Sequence, residues 1–200
     1  MTAPYWNHNT HYHPVVLGAM PRGCREALDV GCGDGLLVRR LALRAAHVTG
    51  IDRSPEMVEQ ARAANRDLGN VDFVVADFLS YDLPPESLDF VCCVATLHHM
   101  DFADALTAMR DGLRPGGGLA VVGLANNAGL RDLMRSATGL PAHHAHRLRN
   151  RAIAGQPAHP VANPDMTWAE VRAEALRLLP GARFRRHTLW RYSLIWRKPR

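Results

Sequence analysis

Apolar positions along this chain come in short unbroken runs. Most of the early runs are followed by a stretch where apolar residues recur every three or four positions. EALDV (26–30) is the first run, and GLLVRRLALRAA (35–46) carries the helical spacing behind it. HVTGID (47–52) reads as a second strand and SPEMVEQARAANRDL (54–68) as the next helix, with Ser54 as N-cap and Pro55 at its first position. VDFVVAD (71–77) and SLDFVCCVA (87–95) read as strands three and four, DFADALTAMRDGL (101–113) as a helix, and GGLAVVGL (117–124) as strand five. Strands that are apolar throughout are buried on both faces, so the pattern predicts a parallel sheet covered by helices. Right-handed crossovers make such a sheet doubly wound. The expected fold class is therefore α/β, Rossmann-like.

The alternation breaks after Leu124. Residues 125–165 mix a short helical piece with histidines, arginines and prolines, too irregular for a core element. Long insertions at a strand's carboxyl end often carry function, so this one is expected on the substrate side. TWAEVRAEALRLLPG (167–181) is an amphipathic helix with Thr167 and Glu170 as a capping box and Pro180-Gly181 as its stop. ARFRRHTLWRYSLIWRKP (182–199) alternates apolar and polar residues, which predicts two antiparallel strands, the last at or inserted near the sheet edge. At the other end, YWNHNTHYHPVVLGAMP places two tyrosines, a tryptophan and three histidines before a short helix closed by Pro21. Residues 1–21 are expected to lie across the top of the sheet as a lid. There is no internal repeat and no low-complexity tract.

The 200 residues suit a single domain spanning 1–200. No apolar run approaches the roughly 20 residues of a membrane span, so no membrane partner is expected. The first residues have neither the charged nor the apolar region of a signal peptide, and a cytoplasmic location is expected. Cys24, Cys32, Cys92 and Cys93 form no CxxC pair and read as buried, reduced thiols. No metal is expected: cysteine and histidine lack zinc spacing, and the AHHAH run (142–146) has nothing to fix its geometry. Charge is uneven. Residues 1–130 carry 10 basic and 15 acidic side chains, and residues 131–200 carry 14 basic and 4 acidic, nearly all of the basic ones arginine. Such an end attracts an anionic substrate, nucleic acid or a membrane surface, or is simply a solvated basic surface.

Candidate chemistry gathers at the carboxyl ends of the strands, where doubly wound folds bind ligands. Gly31, Gly33 and Gly35, in DVGCGDG, follow strand one; Asp52 ends strand two; Asp77 ends strand three. Glycines there allow a tight turn or close approach of a ligand. A carboxylate after strand two suits a ribose diol, and one after strand three suits an exocyclic amine. Together they describe a pocket for an adenosine compound. The loop is GxGxG rather than the GxGxxG of dinucleotide folds, an aspartate lies inside it, and Asp29 stands two residues before it. Negative charge opposes a pyrophosphate and favours an ammonium or sulfonium.

Five stretches in order, ALDVGCGDG, VTGIDRSPEMVEQAR, VDFVVADF, LDFVCCVATLHHM and LRPGGGLAVVGL, resemble class I S-adenosylmethionine-dependent methyltransferases, in the small-molecule branch that resembles the quinone-biosynthesis enzymes. They cover residues 27–124, and WRYSLIWRKP looks like that fold's terminal strand. The resemblance implies a seven-stranded, mostly parallel sheet with an antiparallel terminal strand, and S-adenosyl-L-methionine as cofactor. It implies that Gly31, Gly33 and Gly35, with Cys32 among them, pass the methionine part and that Asp29 reaches its amine. Asp52 would hold the ribose, Arg53 and Met57 would flank the adenine, and Asp77 would bind the adenine amine with Ala76 and Phe78 beside the ring. The backbone near Cys93 and Val94 would touch the amino-acid end.

Methyl transfer from a sulfonium requires alignment, and a base only if the acceptor must lose a proton. His98, in TLHHM after strand four, is the candidate base or acceptor-orienting group, with His99 beside it. Tyr5, Trp6, His8, Tyr12 and His13 are candidates for the lid, and Tyr5 and Tyr12 with His99 for contact with the acceptor. VATL stands where NPPY-type motifs mark amino methylation of bases or glutamine, which speaks against nucleic-acid bases. The expected function is methyl transfer to a small-molecule acceptor. The alternatives are an RNA or protein methyltransferase using the basic end, a catalytically silent partner subunit, and, least supported, a nicotinamide oxidoreductase.

Overall fold

The computed structural model describes residues 5–129, Asp132, Met134 and 164–200. The helix α1 (His13–Ala19) precedes β1 (Glu26–Val30), α2 (Leu36–Ala42), β2 (His47–Asp52), α3 (Pro55–Asn65) and β3 (Val71–Val75). Then come β4 (Leu88–Val94), α4 (Phe102–Gly112), β5 (Leu113–Gly123), α5 (Trp168–Leu178), β6 (Arg183–Arg186) and β7 (Tyr192–Arg197). The strands form one seven-stranded sheet in the order β3-β2-β1-β4-β5-β7-β6. Strands β1 to β5 pair in parallel, and β7 runs antiparallel between β5 and β6. The order reverses between β1 and β4, so the loops leaving these two strands diverge and open a crevice at their carboxyl ends.

The strands are apolar on both faces because both faces are covered. Successive residues of β4 point alternately into two cores: Val91 and Cys93 pack with α4 and α5, Phe90 and Cys92 with α1, α2 and α3. Strand β5 does the same with Leu119 and Val121 against Ala120 and Val122. Phe90 is fully buried, and truncating such a side chain to alanine costs about 3–5 kcal/mol. All four cysteines are buried and free of disulfides.

Local signals hold the helices where the sequence placed them. The Ser54 hydroxyl accepts from the Met57 amide (3.2 Å), and Thr167 and Glu170 form the reciprocal capping box. Several boundaries differ. The second helix stops at Ala42 rather than 46, because the chain turns so that the Ala46 amide reaches the Cys24 carbonyl (3.1 Å) and enters β2. Strand β5 begins at Leu113, directly after α4, four residues before the expected start. Helix α1 packs on a face of the sheet through Val16 rather than across its top. The segment before it reaches the crevice. The insertion is described only at 125–129, Asp132, Met134 and 164–165; the AHHAH run lies outside the described residues.

Candidate active site

The crevice is a cleft of about 840 Å³ above β1, β2 and β4, closed on one side by residues of the 5–13 segment. Its floor is the loop after β1. Gly31, Gly33 and Gly35 have φ of 73°, 53° and 77°, in the left-handed region that favours glycine. A Cβ at Gly31 would lie 2.2 Å from the Thr96 hydroxyl, so the loop after β4 rests directly on it.

The loop's amides are committed internally. Those of Gly31 and Cys32 both donate to the Ile51 carbonyl (2.8 and 3.0 Å), and that of Gly35 to the Cys32 carbonyl (3.0 Å). The Gly33 amide donates to Asp52 Oδ2 (2.9 Å), and the Leu36 amide to Asp34 Oδ1 (3.2 Å). A loop that cradles pyrophosphate presents its amides to the ligand. Here carboxylates surround the loop instead: Asp29, Asp34 and, from the end of β2, Asp52 all line the cleft. Asp29 is buried and accepts from the Cys92 thiol (3.3 Å). Burial, and then the charges of Asp52 and Asp34, push its carboxyl up to about 7. This is an environment for a cation.

The other predicted cofactor residues converge on the same cleft. Asp52 also accepts from the Ser54 amide (2.9 Å), and its two oxygens keep further acceptor capacity toward the cleft. Arg53 lies exposed at the rim; Met57, Ala76, Asp77 and Phe78 line the wall beyond β2 and β3. Asp77 is exposed and caps the turn that follows it, one oxygen accepting from the Leu79 amide (3.0 Å). Phe78 is at once wall and core. Cys32 lines the cleft, but its side chain packs against Gly50 in the sheet and burial pushes its thiol up. Val94 lines the cleft beside Ala95, a non-glycine residue at φ 55°. Such a left-handed residue stores about 1–2 kcal/mol of strain, which the surrounding contacts hold in place.

His98 and His99 stand on the loop after β4, their rings 4.1 Å apart, and both line the cleft. The Nδ1 of His98 is buried and has no hydrogen-bond partner. Burial, His99 and Arg191 lower its pKa to about 4, so the ring is neutral at pH 7. Such a group is a weak base and a ready hydrogen-bond acceptor.

The aromatic N-terminus divides. Tyr5 lines the cleft on the glycine-loop side, its hydroxyl bonded to the Asp34 carboxylate. His13 lines it too, buried and neutral, with Arg40 donating to its Nδ1 (3.1 Å). Trp6 packs edge-on to His8 and His11. Tyr12 does not belong to the acceptor site. The 3-10 turn over Thr10–Tyr12 aims its ring into the core, and its hydroxyl accepts from the Leu189 amide (3.3 Å). Sequence reasoning passed over Asp34, Asn9, Thr10 and Arg191, which also line the cleft. Asp34 was visible inside the glycine loop; Arg191 and Asn9 carried no local signal. Among the described residues, no three histidine, cysteine or acidic side chains are placed to hold a metal, and no helix is long and apolar enough to cross a membrane.

A family described as a methyltransferase domain matches residues 27–117. An uncharacterized methyltransferase of Mycobacterium tuberculosis is 34% identical over 197 residues, covering 97% of this chain and 98% of that protein. A ubiquinone biosynthesis O-methyltransferase of Xylella fastidiosa is 38% identical over 107 residues, 51% of this chain and 43% of its own length. Among solved structures, the N-methyltransferase NodS of Bradyrhizobium japonicum, in complex with S-adenosylhomocysteine, shares the fold with a TM-score of 0.63 at 16% identity, over 96% of this chain and 87% of that one.

Proposed function

This chain belongs to the class I S-adenosylmethionine-dependent methyltransferases, and from that premise we propose that it methylates a small-molecule acceptor held in the same cleft. The observation that carries the reading is the cleft's extent. It runs from the carboxylates at β1 and β2 past the end of β4 to Asn9, Thr10, His98 and Arg191, and its 840 Å³ lies within the roughly 300–1,000 Å³ of small-molecule sites. The basic C-terminal part is also partly engaged within the chain: Arg177 pairs with Glu174, Arg186 with Asp132, and Arg191 binds Asn9.

The donor set fits the cofactor. S-adenosylmethionine supplies, when bound, a methyl carbon activated by its sulfonium. The buried Asp29 and the neighbouring Asp34 offer acceptors to an ammonium, which a loop built for phosphate would not. Asp52 offers free lone pairs to a ribose diol while its amide contacts keep it oriented. Gly31 and Gly33 line the cleft, with Cys32 contributing main chain only, while Gly35 lies outside the lining and lets the loop close against Asn65 and Ala61 of α3. Arg53, Met57, Ala76 and Phe78 form the adenine wall, Asp77 turns its free oxygen to the exocyclic amine, and Val94 borders the amino-acid end. Tyr5, anchored on Asp34, belongs to the 5–13 segment that closes one side of the cleft. On the acceptor side the neutral ring of His98 lines the cleft and orients the acceptor's hydroxyl or amine, with His99 beside it. Water exclusion and alignment, rather than a strong base, are this site's contribution. Leu124, the residue before the 125–165 insertion, lines the cleft.

Calorimetric titration with S-adenosylmethionine, S-adenosylhomocysteine and NADH, for wild type and Asp52→Ala, tests the cofactor site. Micromolar binding of the sulfur compounds, weakened tenfold or more in the variant and absent for NADH, is expected. Methyl transfer from labelled cofactor to a small-molecule fraction, and not to protein or RNA, tests the acceptor class; label found only in macromolecules would overturn it.

A further inference from the structure

The loop between β6 and β7 delivers a charge into the cleft that the methyl-transfer reading does not use. Arg191 is 9% exposed and lines the cleft on the same side as His98. Its Nε and Nη2 donate to a single oxygen, Asn9 Oδ1 (3.0 and 2.8 Å), and its Nη1 to the Trp190 carbonyl (3.2 Å). Every one of these acceptors is neutral. Among the described residues Arg191 makes no ion pair, whereas the less buried Arg39, Arg110, Arg114 and Arg186 each face a carboxylate. A guanidinium stays charged at neutral pH even when buried, and a buried charge without a counter-ion is costly. A fold retains one where a ligand completes it.

Position decides which part of the ligand. Arg191 precedes Tyr192, which pairs with Gly123 at the carboxyl end of β5. In the sheet order it stands three strands from β1 and four from β2. At about 4.8 Å per strand that is roughly 14 Å from the ammonium-binding end and roughly 19 Å from Asp52. It therefore lies on the acceptor side of β4. The backbone there is shaped to keep it inward: Trp190 holds φ at 53°, and the His187 amide closes the loop on the Arg191 carbonyl (2.8 Å). The Asn9 clamp leaves the guanidinium's remaining N–H groups for a planar, two-oxygen partner.

We propose that Arg191, clamped by Asn9, is the anion-recognising residue of the acceptor pocket, and that the acceptor carries a carboxylate that pairs with it. This rests on the small-molecule reading above and narrows it. The neutral His98 ring, lining the cleft beside it, then borders the nucleophilic hydroxyl or amine of an acid whose charge Arg191 has already fixed.

The test is titration of the protein saturated with S-adenosylhomocysteine, using benzoate, citrate and their neutral amides as probes. Wild type is expected to bind at least one acid, and its amide at least tenfold more weakly. Arg191→Met should weaken the acid at least tenfold and leave S-adenosylhomocysteine within twofold, with Arg191→Lys intermediate. Asn9→Asp guards against a variant that merely misfolds. It keeps the clamp's shape but supplies an internal counter-ion, so it should abolish acid binding while leaving the melting temperature at or above that of wild type. A purely structural Arg191–Asn9 contact would tolerate that change without loss. No acid binding to wild type, equal binding of acid and amide, or acid binding unchanged in Arg191→Met would overturn the proposal. So would loss of S-adenosylmethionine binding in Arg191→Met with decarboxylated S-adenosylmethionine unaffected, since Arg191 would then hold the cofactor's own carboxylate. The two readings fail separately: acid binding without methylation of any small acceptor retires the one above, and small-molecule methylation without acid binding retires this one.

Discussion

The Asp29 carboxylate accepts a hydrogen bond from the Cys92 thiol at 3.3 Å, across the pair of strands where the sheet reverses its order. A thiol is a weak donor. It leaves the carboxylate short of the compensation a buried charge needs, so burial dominates and the carboxyl titrates at about 7.

That placement makes cofactor binding pH-dependent. A cationic ligand favours the ionised carboxylate, so affinity for S-adenosylmethionine should rise several-fold from pH 6 to pH 7.5, while 5′-methylthioadenosine, which lacks the amine, should show no such rise. Without ligand the sign is opposite for stability. The folded state holds a proton between pH 4 and 7 that the unfolded chain has lost, so stability from this group is present below pH 4 and falls away as pH rises through 7. Asp29→Asn should flatten both dependences and weaken S-adenosylmethionine about tenfold at pH 8, measured by calorimetry and by melting across pH.

Gly31→Ala should be severe. The new Cβ would sit 2.2 Å from the Thr96 hydroxyl at a backbone φ of 73°. Left-handed strain alone costs about 1–3 kcal/mol, and moving the β4 loop would disturb the cleft. Urea unfolding should show a loss above about 2 kcal/mol, with S-adenosylhomocysteine binding lost. Gly31→Ala with Thr96→Gly should recover part of both.

The pKa of about 4 at His98 predicts a kcat profile with no inflection near pH 6.5 between pH 5.5 and 8. Its value lies in accepting a hydrogen bond. His98→Gln should retain more activity than His98→Leu, which should lose at least about tenfold in kcat with cofactor affinity unchanged. An inflection near 6.5 that vanishes in His98→Gln would overturn this.

Tyr12→Phe should act on stability alone. Its hydroxyl accepts from the buried Leu189 amide, and leaving that amide unpaired costs about 1–3 kcal/mol. Thermal melting should register the loss, while KM for any acceptor and the affinity for S-adenosylhomocysteine stay as in wild type.

The strands, the glycine loop and the carboxylates that end β1 and β2 were legible because each is written locally. A continuous apolar run means burial on both faces, and a glycine or aspartate directly after it marks the carboxyl end where the ligand lies. The Ser54 and Thr167 caps were legible for the same reason, since donor and acceptor stand three residues apart. Helix ends were less so: Ala42 ends α2 because of the distant Cys24 carbonyl, not because of any breaker in its own sequence.

What the sequence by itself determined is thus the alternation, the sheet it implies, and the chemistry at the strand ends, because periodicity and short-range capping depend only on neighbours in the chain. The tertiary structure alone decided that Tyr12 serves the core and Tyr5 the glycine loop, that Asp29 titrates near neutrality, and that Arg191 meets Asn9 from 182 residues away. Desolvation and charge compensation depend on which segments come together around a group, and no local pattern records that.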